Sequence, residues 1–301
     1  MSKSTIYSEA CKEISGFKEM SEEFIRKLVI NGKSKSTHQN YVRQMAKLAL
    51  YCGKSPLKIE IDELEEYLYY LRQRDTDALS SYKHLIYGLR KLYQLFGKEE
   101  FEVALPKLER SKKLPVVISQ AEMKRLLLSF RQIRERAMFG LVYDAGLRIS
   151  ELTSLLIEDV NLERQMVHVR QSKNKKDRYV PISNHIVRGL KKHIVLNSPK
   201  VYMFENMNRS GMPISKTRVR ALLKEGLERA EIRKDITVHA LRHTYATHQL
   251  EGGQNIMVLS QLLGHSSVQM TLVYLHIAQV DSVKRVGCLE YLYPAKDERK
   301  Q

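Results

Sequence analysis

No run of apolar residues in this 301-residue chain approaches the ~20 needed to span a bilayer; the longest, such as 137–143, stop far short of it. A membrane-crossing helix is therefore not expected. The start of the chain, MSKSTIYSEACKEIS, lacks the continuous apolar core that marks a secretory signal, which points to a cytoplasmic location. Cysteine is scarce as well. Cys11, Cys52 and Cys288 are odd in number and far apart, fitting neither a disulfide framework nor paired metal-binding thiols, so reduced structural thiols are expected. Acid is in short supply too: 34 Asp and Glu face 51 Lys and Arg, a formal net charge of +17. Such a surplus repels itself in a compact fold unless a polyanion relieves it, and nucleic acid becomes the leading partner. A phosphate-binding loop is also missing. GKS triplets stand at 32–34 and 53–55, but the motif needs a glycine five positions before its second one, where Lys27 and Leu48 stand.

What is present describes a folded chain. Apolar content of 43% against 28% charged matches a soluble globular protein, and the length suits two domains, each with its own core. From about residue 20 to 97, apolar residues recur three and four apart, as in Tyr41, Met45, Leu48 and Ala49, then Leu64, Tyr67, Leu68 and Leu71, then Leu85, Leu89, Leu92 and Leu95. Turn signals at Gly32, Gly53, Asp75-Thr-Asp77 and Gly97 separate these helices. The expected organisation is a helical domain over 1–106, an extended, proline-containing and basic linker over 107–117, and a second domain over 118–301 ending in a basic tail. In the second domain Ser119-Gln-Ala-Glu122 has capping-box spacing, a helix ends at Gly146, and Ser150 is placed to cap the next helix. Residues 165–171 and 178–182 alternate like strands, with the polar segment 172–177 as their hairpin loop, and 184–280 reads mainly as helices. The predicted fold class is mainly α with a small β-sheet in the C-terminal domain.

The richest segment is Val238-His-Ala-Leu-Arg-His-Thr-Tyr-Ala-Thr-His248, which as a helix puts His239 and Arg242 on one face. His239 and His243 are four apart, as in zinc metalloproteases, but that motif needs a Glu after the first His, and Ala240 stands there. Taken singly, Arg148 reads as a solvated side chain, Lys173 as one lysine of a charged turn and Tyr274 as a tyrosine at the edge of a core. Their order carries more: AGLRISEL, then a Lys-tipped hairpin, then HALRHTYATH, then LLGHSS, then Tyr274 nine residues after His265.

These segments resemble the catalytic domain of tyrosine recombinases, especially the Xer-type and integrase-type members. The resemblance implies an N-terminal helical core-binding domain followed by a mixed α/β catalytic domain. It implies that Arg148, Lys173, His239, Arg242, His265 and Tyr274 are catalytic and that Glu151 orients them. Lys175 stands as a rival to Lys173, since Ser172 replaces the usual glycine before the hairpin lysine. The arginine forks suit the nonbridging phosphate oxygens, His239 suits the base for the tyrosine, the hairpin lysine suits the acid for the leaving 5′ oxygen, and His265 suits a hydrogen bond to the phosphate. The implied reaction is site-specific recombination of double-stranded DNA through a 3′-phosphotyrosyl intermediate, serving integration, excision, inversion or dimer resolution. It implies no cofactor and no metal, and a tetramer on two DNA sites with the C-terminal tail docked on a neighbour; accessory proteins stay open. The alternatives are a relaxing enzyme of the type IB topoisomerase kind and a non-catalytic DNA-binding regulator.

Overall fold

Apolar residues three and four apart set the helices of the first hundred residues, and the computed structural model buries most of them, with Tyr41, Leu71 and Leu95 partly buried against the same core. It describes residues 5–74, 79–108, 114–170 and 177–278, and the chain divides into two compact units, Met1–Ser111 and Lys112–Gln301. The first unit holds α1 (Ile6–Glu13), α2 (Phe17–Ile30), α3 (Lys35–Cys52), α4 (Ile61–Arg74), α5 (Leu79–Phe96) and α6 (Glu99–Ala104). Met45, Leu48 and Ala49 of α3, Leu64, Tyr67 and Leu68 of α4, and Leu85, Leu89 and Leu92 of α5 are all buried in one core. Each such leucine removed from water is worth roughly 1.5–3 kcal/mol. Gly53 and Gly97 end α3 and α5 at φ of 67° and 69°, a backbone that side chains with a Cβ resist. Helical structure starts earlier than the expected residue 20. The eight-residue α1 is held by the Thr5 cap and fully buries only Ala10, too short a stretch for a periodic signal. The Asp75-Thr-Asp77 turn and part of the linker, 109–113, lie outside the described residues.

The second unit opens with the expected capping box: Ser119 Oγ accepts from the Glu122 N–H at 3.2 Å and Glu122 accepts from the Ser119 N–H at 2.7 Å. It starts α7 (Gln120–Ser129), followed by α8 (Ile133–Ala145) and α9 (Ile149–Ser154). Helix α8 is buried nearly all round, contributing Ala137, Met138, Phe139, Leu141, Val142 and Ala145 to the core. An antiparallel sheet follows in the order β1 (Val160–Asn161), β2 (Met166–Val169), β3 (Arg178–Pro181), with Val167 opposite Val180. The hairpin segment 171–176, with Lys173 and Lys175, lies outside the described residues, as does the tail beyond 278 with Cys288. Then come α10 (Asn184–Asn197), α11 (Lys216–Arg229), α12 (Val238–Glu251), α13 (Ile256–Leu263) and α14 (Gln269–Leu272), the last continuing into a tight turn over Val273–His276.

The segment 184–280 is mainly helical, as expected, and holds in addition a second hairpin of β4 (Glu205–Asn206) and β5 (Arg209–Pro213). Its short strands are latched by the Glu205 carboxylate, which accepts the N–H groups of Lys200, Val201 and Gly211 at 2.9, 2.7 and 2.9 Å, and no periodicity announces such a latch. Ser150 is not the cap of α9. The capping position is Arg148, whose N–H donates to Glu151 Oε2 at 2.8 Å. Among the described residues no helix is long and apolar enough to cross a membrane.

Candidate active site

Gly146 ends α8 at φ 60°, and a Cβ there would sit 2.5 Å from Tyr245 Cδ1, so only glycine lets the chain turn this close to α12. The turn presents two things: the Gly146 carbonyl and, two residues on, Arg148 at the start of α9. Arg148 Nη1 donates to Glu151 Oε1 at 2.8 Å. The same carboxylate takes both terminal nitrogens of Arg178 on β3, at 3.0 and 2.9 Å, and lies 3.8 Å from Arg242 Nη1. Burial alone would raise the Glu151 carboxyl, but Arg178 and Arg148 hold it down to about 2, so it stays ionised among three arginines.

Arg242, one turn into α12, has no exposed surface. Its two terminal nitrogens donate to the carbonyls of Gly146 at 2.7 Å and Leu263 at 2.5 Å, while Nε has no hydrogen-bond partner among the described residues. Burial and the neighbouring Arg148 charge bring its guanidinium down to about 10, still charged at neutral pH. Arg178 also donates through Nε to the Leu262 carbonyl at 2.7 Å, and Gly264, at φ 62°, leaves room for it: a Cβ there would lie 3.1 Å from Arg178 Nη1. The glycines of AGLR and LLGH thus both serve close approach to this cluster.

The histidines and the tyrosine form the other half. Tyr274, in the turn after α14, is 3% exposed, and its hydroxyl is hydrogen-bonded at 2.8 Å to His243 Nδ1. His243 and His239, one turn apart on α12, meet edge-on with ring centres 4.3 Å apart. His265 shares a 2.8 Å hydrogen bond between Nδ1 and Thr271 Oγ1, and its ring lies parallel to that of Tyr274 at 6.4 Å. Burial, with Arg242 close by, lowers His243 and His265 to about 4, and partial burial with Arg242 and Arg148 lowers His239, whose outer side stays exposed. The Tyr274 phenol is raised by burial, against the pull of Arg242 and Arg148.

Arg148, Glu151, His239, Arg242, His265 and Tyr274 therefore come together in one place. The residues 117–280 match the model of the phage integrase family, and 20–102 match the family's N-terminal SAM-like domain. A tyrosine recombinase of Thermosipho africanus is 33% identical over 270 residues, covering 84% of this chain and 94% of that protein. Tyrosine recombinase XerA of Pyrococcus furiosus is 32% identical over 282 residues, 91% of this chain and 96% of that one. The chain belongs to the phage integrase family.

Among solved structures, a XerA recombinase superposes with TM-score 0.53 at 25% identity, covering 93% of this chain and all of that one. A lambda integrase dimer bound to a core site reaches 0.69 at 17% identity over 88% of this chain and 78% of its own, a likeness of fold. Within this tyrosine recombinase, two residues of the cluster escaped the sequence reading. The alternation of 178–182 gives Arg178 no role beyond a strand, and the spacing of HALRH gives His243 none beyond a zinc motif that Ala240 breaks. The adjacency of His243 to Arg242 in HALRH was the one signal available for it; for Arg178, 27 residues from Glu151 and 84 from Leu262, there was none.

Proposed function

We propose that this tyrosine recombinase cuts and rejoins double-stranded DNA at specific sites, with Tyr274 as nucleophile. The observation that carries the reading is the placement of a buried phenol, hydrogen-bonded to an imidazole, within the electrostatic reach of Arg148 and Arg242. A phosphodiester repels nucleophiles through its anionic oxygens, so charge must be neutralised first, and guanidinium forks fixed in advance do so without reorganising. Glu151 and the carbonyls of Gly146 and Leu263 supply that fixing.

Attack by Tyr274 Oη forms the Oη–P bond and breaks the bond to the 5′ oxygen, leaving a 3′-phosphotyrosine. The leaving oxygen takes a proton from Lys173, with Lys175 as its rival on the same hairpin. His239 and His265 offer their imidazoles to the phosphate oxygens. Because the covalent link conserves the bond, rejoining to another 5′ hydroxyl requires no nucleotide, cofactor or metal. The positive surplus of the chain suits a DNA-associated protein of the cytoplasm. The lambda integrase structure is of a dimer bound to a core site and a Tn1549 transposon integrase was solved with transposon right end DNA; by analogy this chain works as an oligomer, a tetramer on two sites. A mobile-element or inversion role fits best, accessory proteins being undefined.

The test is covalent trapping of the full chain on a pool of nicked duplexes of random sequence. The expected product is a denaturant-stable adduct on a 3′ end, lost in Tyr274→Phe. An adduct that persists in Tyr274→Phe, or DNA binding with no adduct from the unmodified chain, overturns the assignment. Plasmid relaxation without junction products would identify a relaxing enzyme instead.

A further inference from the structure

We propose that His243, rather than His239, takes the phenolic proton of Tyr274, an assignment that rests on Tyr274 being the nucleophile. The geometry is direct: Tyr274 Oη lies 2.8 Å from His243 Nδ1, while no hydrogen bond among the described residues joins Tyr274 to His239. A base must first be within hydrogen-bond reach of the proton it removes. His243 meets that requirement, and His239 stands one ring further out, edge-on to it at 4.3 Å.

The fold leaves His243 little choice of partner. Positions four apart on α12 share a face, so His239 and His243 line up along the helix axis. The turn carrying Tyr274 packs against the same helix and delivers the hydroxyl to the inner imidazole of the pair. The outer imidazole keeps an exposed side and remains available to a phosphate oxygen.

Electrostatics then set when the transfer occurs. The groups around His243 are His239 and Arg242 on its own helix, Tyr274 on the closing turn and His265 after α13. Burial, His239 and Arg242 keep the imidazole neutral, and in the tautomer with its proton on Nε2 the Nδ1 lone pair accepts from the phenol. Alone this is a weak base. A phosphodiester seated between Arg148 and Arg242 places a negative charge beside the groups that depress His243, and its proton affinity rises as substrate binds. The step balances: Oη bonds to phosphorus, its proton moves to His243 Nδ1 to give an imidazolium, and the bond to the 5′ oxygen breaks as that oxygen is protonated from the hairpin lysine. The base is thus switched on by the substrate it serves, and an empty site keeps its phenol protonated.

The experiment uses the full chain and a nicked duplex recovered from the random pool by covalent trapping. His243→Asn places an amide near the position of Nδ1, preserving a hydrogen bond but accepting no proton; His243→Gln is the second variant should the first fail to fold. Each is combined with tyrosine or 3,5-difluorotyrosine at position 274, whose phenol ionises near neutral pH without help. With tyrosine, adduct formation should slow by ~10²–10⁴-fold, the usual range for a lost general base, while duplex binding is unchanged. Difluorotyrosine should restore most of that rate in the His243 variants and none in His239→Gln. Relief of His239→Gln with none for the His243 variants would overturn the assignment, as would an unchanged rate in the folded variants with tyrosine. A failure of the underlying reading is distinguishable, since it would show as an adduct surviving Tyr274→Phe.

Discussion

The arginine half of the site and its histidine–tyrosine half are held by different physics. Arg148 and Arg178 grip one buried carboxylate, and Arg178 and Arg242 the carbonyls of residues 146, 262 and 263, through charge-assisted bonds of 2.5–3.0 Å, with Arg242 also 3.8 Å from that carboxylate. Among the described residues His243 and His265 are each held by one neutral side-chain hydrogen bond, to Tyr274 and Thr271. The first half is over-determined, as electrostatic stabilisation of a transition state requires. The second is held lightly, as groups that exchange a proton and carry a nucleophile require. Damage to the arginine half should reach the fold as well as the chemistry, and damage to the histidine half should fall on chemistry.

The largest effect is expected from Glu151→Ala. It leaves three guanidinium groups without their shared counter-charge, and breaking a buried pair of this kind costs about 3–5 kcal/mol. Urea unfolding should read that loss, and adduct formation should vanish with it. The acid limb of stability sharpens the comparison. The Glu151 carboxyl lies near 2 when folded against an ordinary 4.5, so its contribution, about 3 kcal/mol at 1.36 per unit, is complete above pH 4.5 and lost as pH falls towards 2. His243 and His265 are lowered from 6.5 to about 4, so the unfolded chain binds protons first and stability already declines as pH falls from 6.5 to 4. Unfolding followed against pH should therefore show the upper decline reduced in His243→Asn and the lower one removed in Glu151→Gln. A single shared window in both variants would contradict the separation.

Arg242→Lys comes next. The charge is retained, but one ammonium cannot reproduce a planar fork that holds two carbonyls at once. Misplacing one preorganised donor typically costs ~10²–10³ in rate, so single-turnover cleavage should fall by that much while duplex binding changes far less. Equal losses in both would mean the fork only binds and does not stabilise the transition state.

Gly146→Ala should follow, through packing alone. The added methyl meets Tyr245 at 2.5 Å and the residue sits at φ 60°, an overpacking that costs about 1–3 kcal/mol. A thermal melt should show it, and activity should track the folded fraction.

Much of this was legible because local spacing carries it. Helices with apolar residues three and four apart, the Ser119 capping box and the glycine-ended α8 all follow from neighbours within one turn. Arg148, Glu151, His239, Arg242, His265 and Tyr274 were named through their motifs, and the fold brings them to one place. What spacing does not carry is convergence over long separations. Arg178 reaches Glu151 only because β3 lies beside α9 and α13, and the Glu205 latch exists only once its loop has closed. His243 stands in a legible motif, but its partner lies 31 residues away. Ser150 is not the cap because the helix already begins at Ile149, with Arg148 at the capping position and its N–H held by the Glu151 carboxylate.

The smallest effect tests the lighter half. Thr271 is buried and its hydroxyl is the hydrogen-bond partner of His265 Nδ1 at 2.8 Å. Thr271→Val keeps the shape and removes the bond, leaving one imidazole nitrogen unpaired at a cost near 1 kcal/mol. Global stability should barely move, because no charge loses its counterpart. The ring of His265, parallel to Tyr274, would lose the contact that fixes its angle, and cleavage should slow by about fivefold, the rate equivalent of 1 kcal/mol. A drop in unfolding free energy as large as that of Glu151→Ala would show that the histidine half is structural, and the contrast between the two halves would fail.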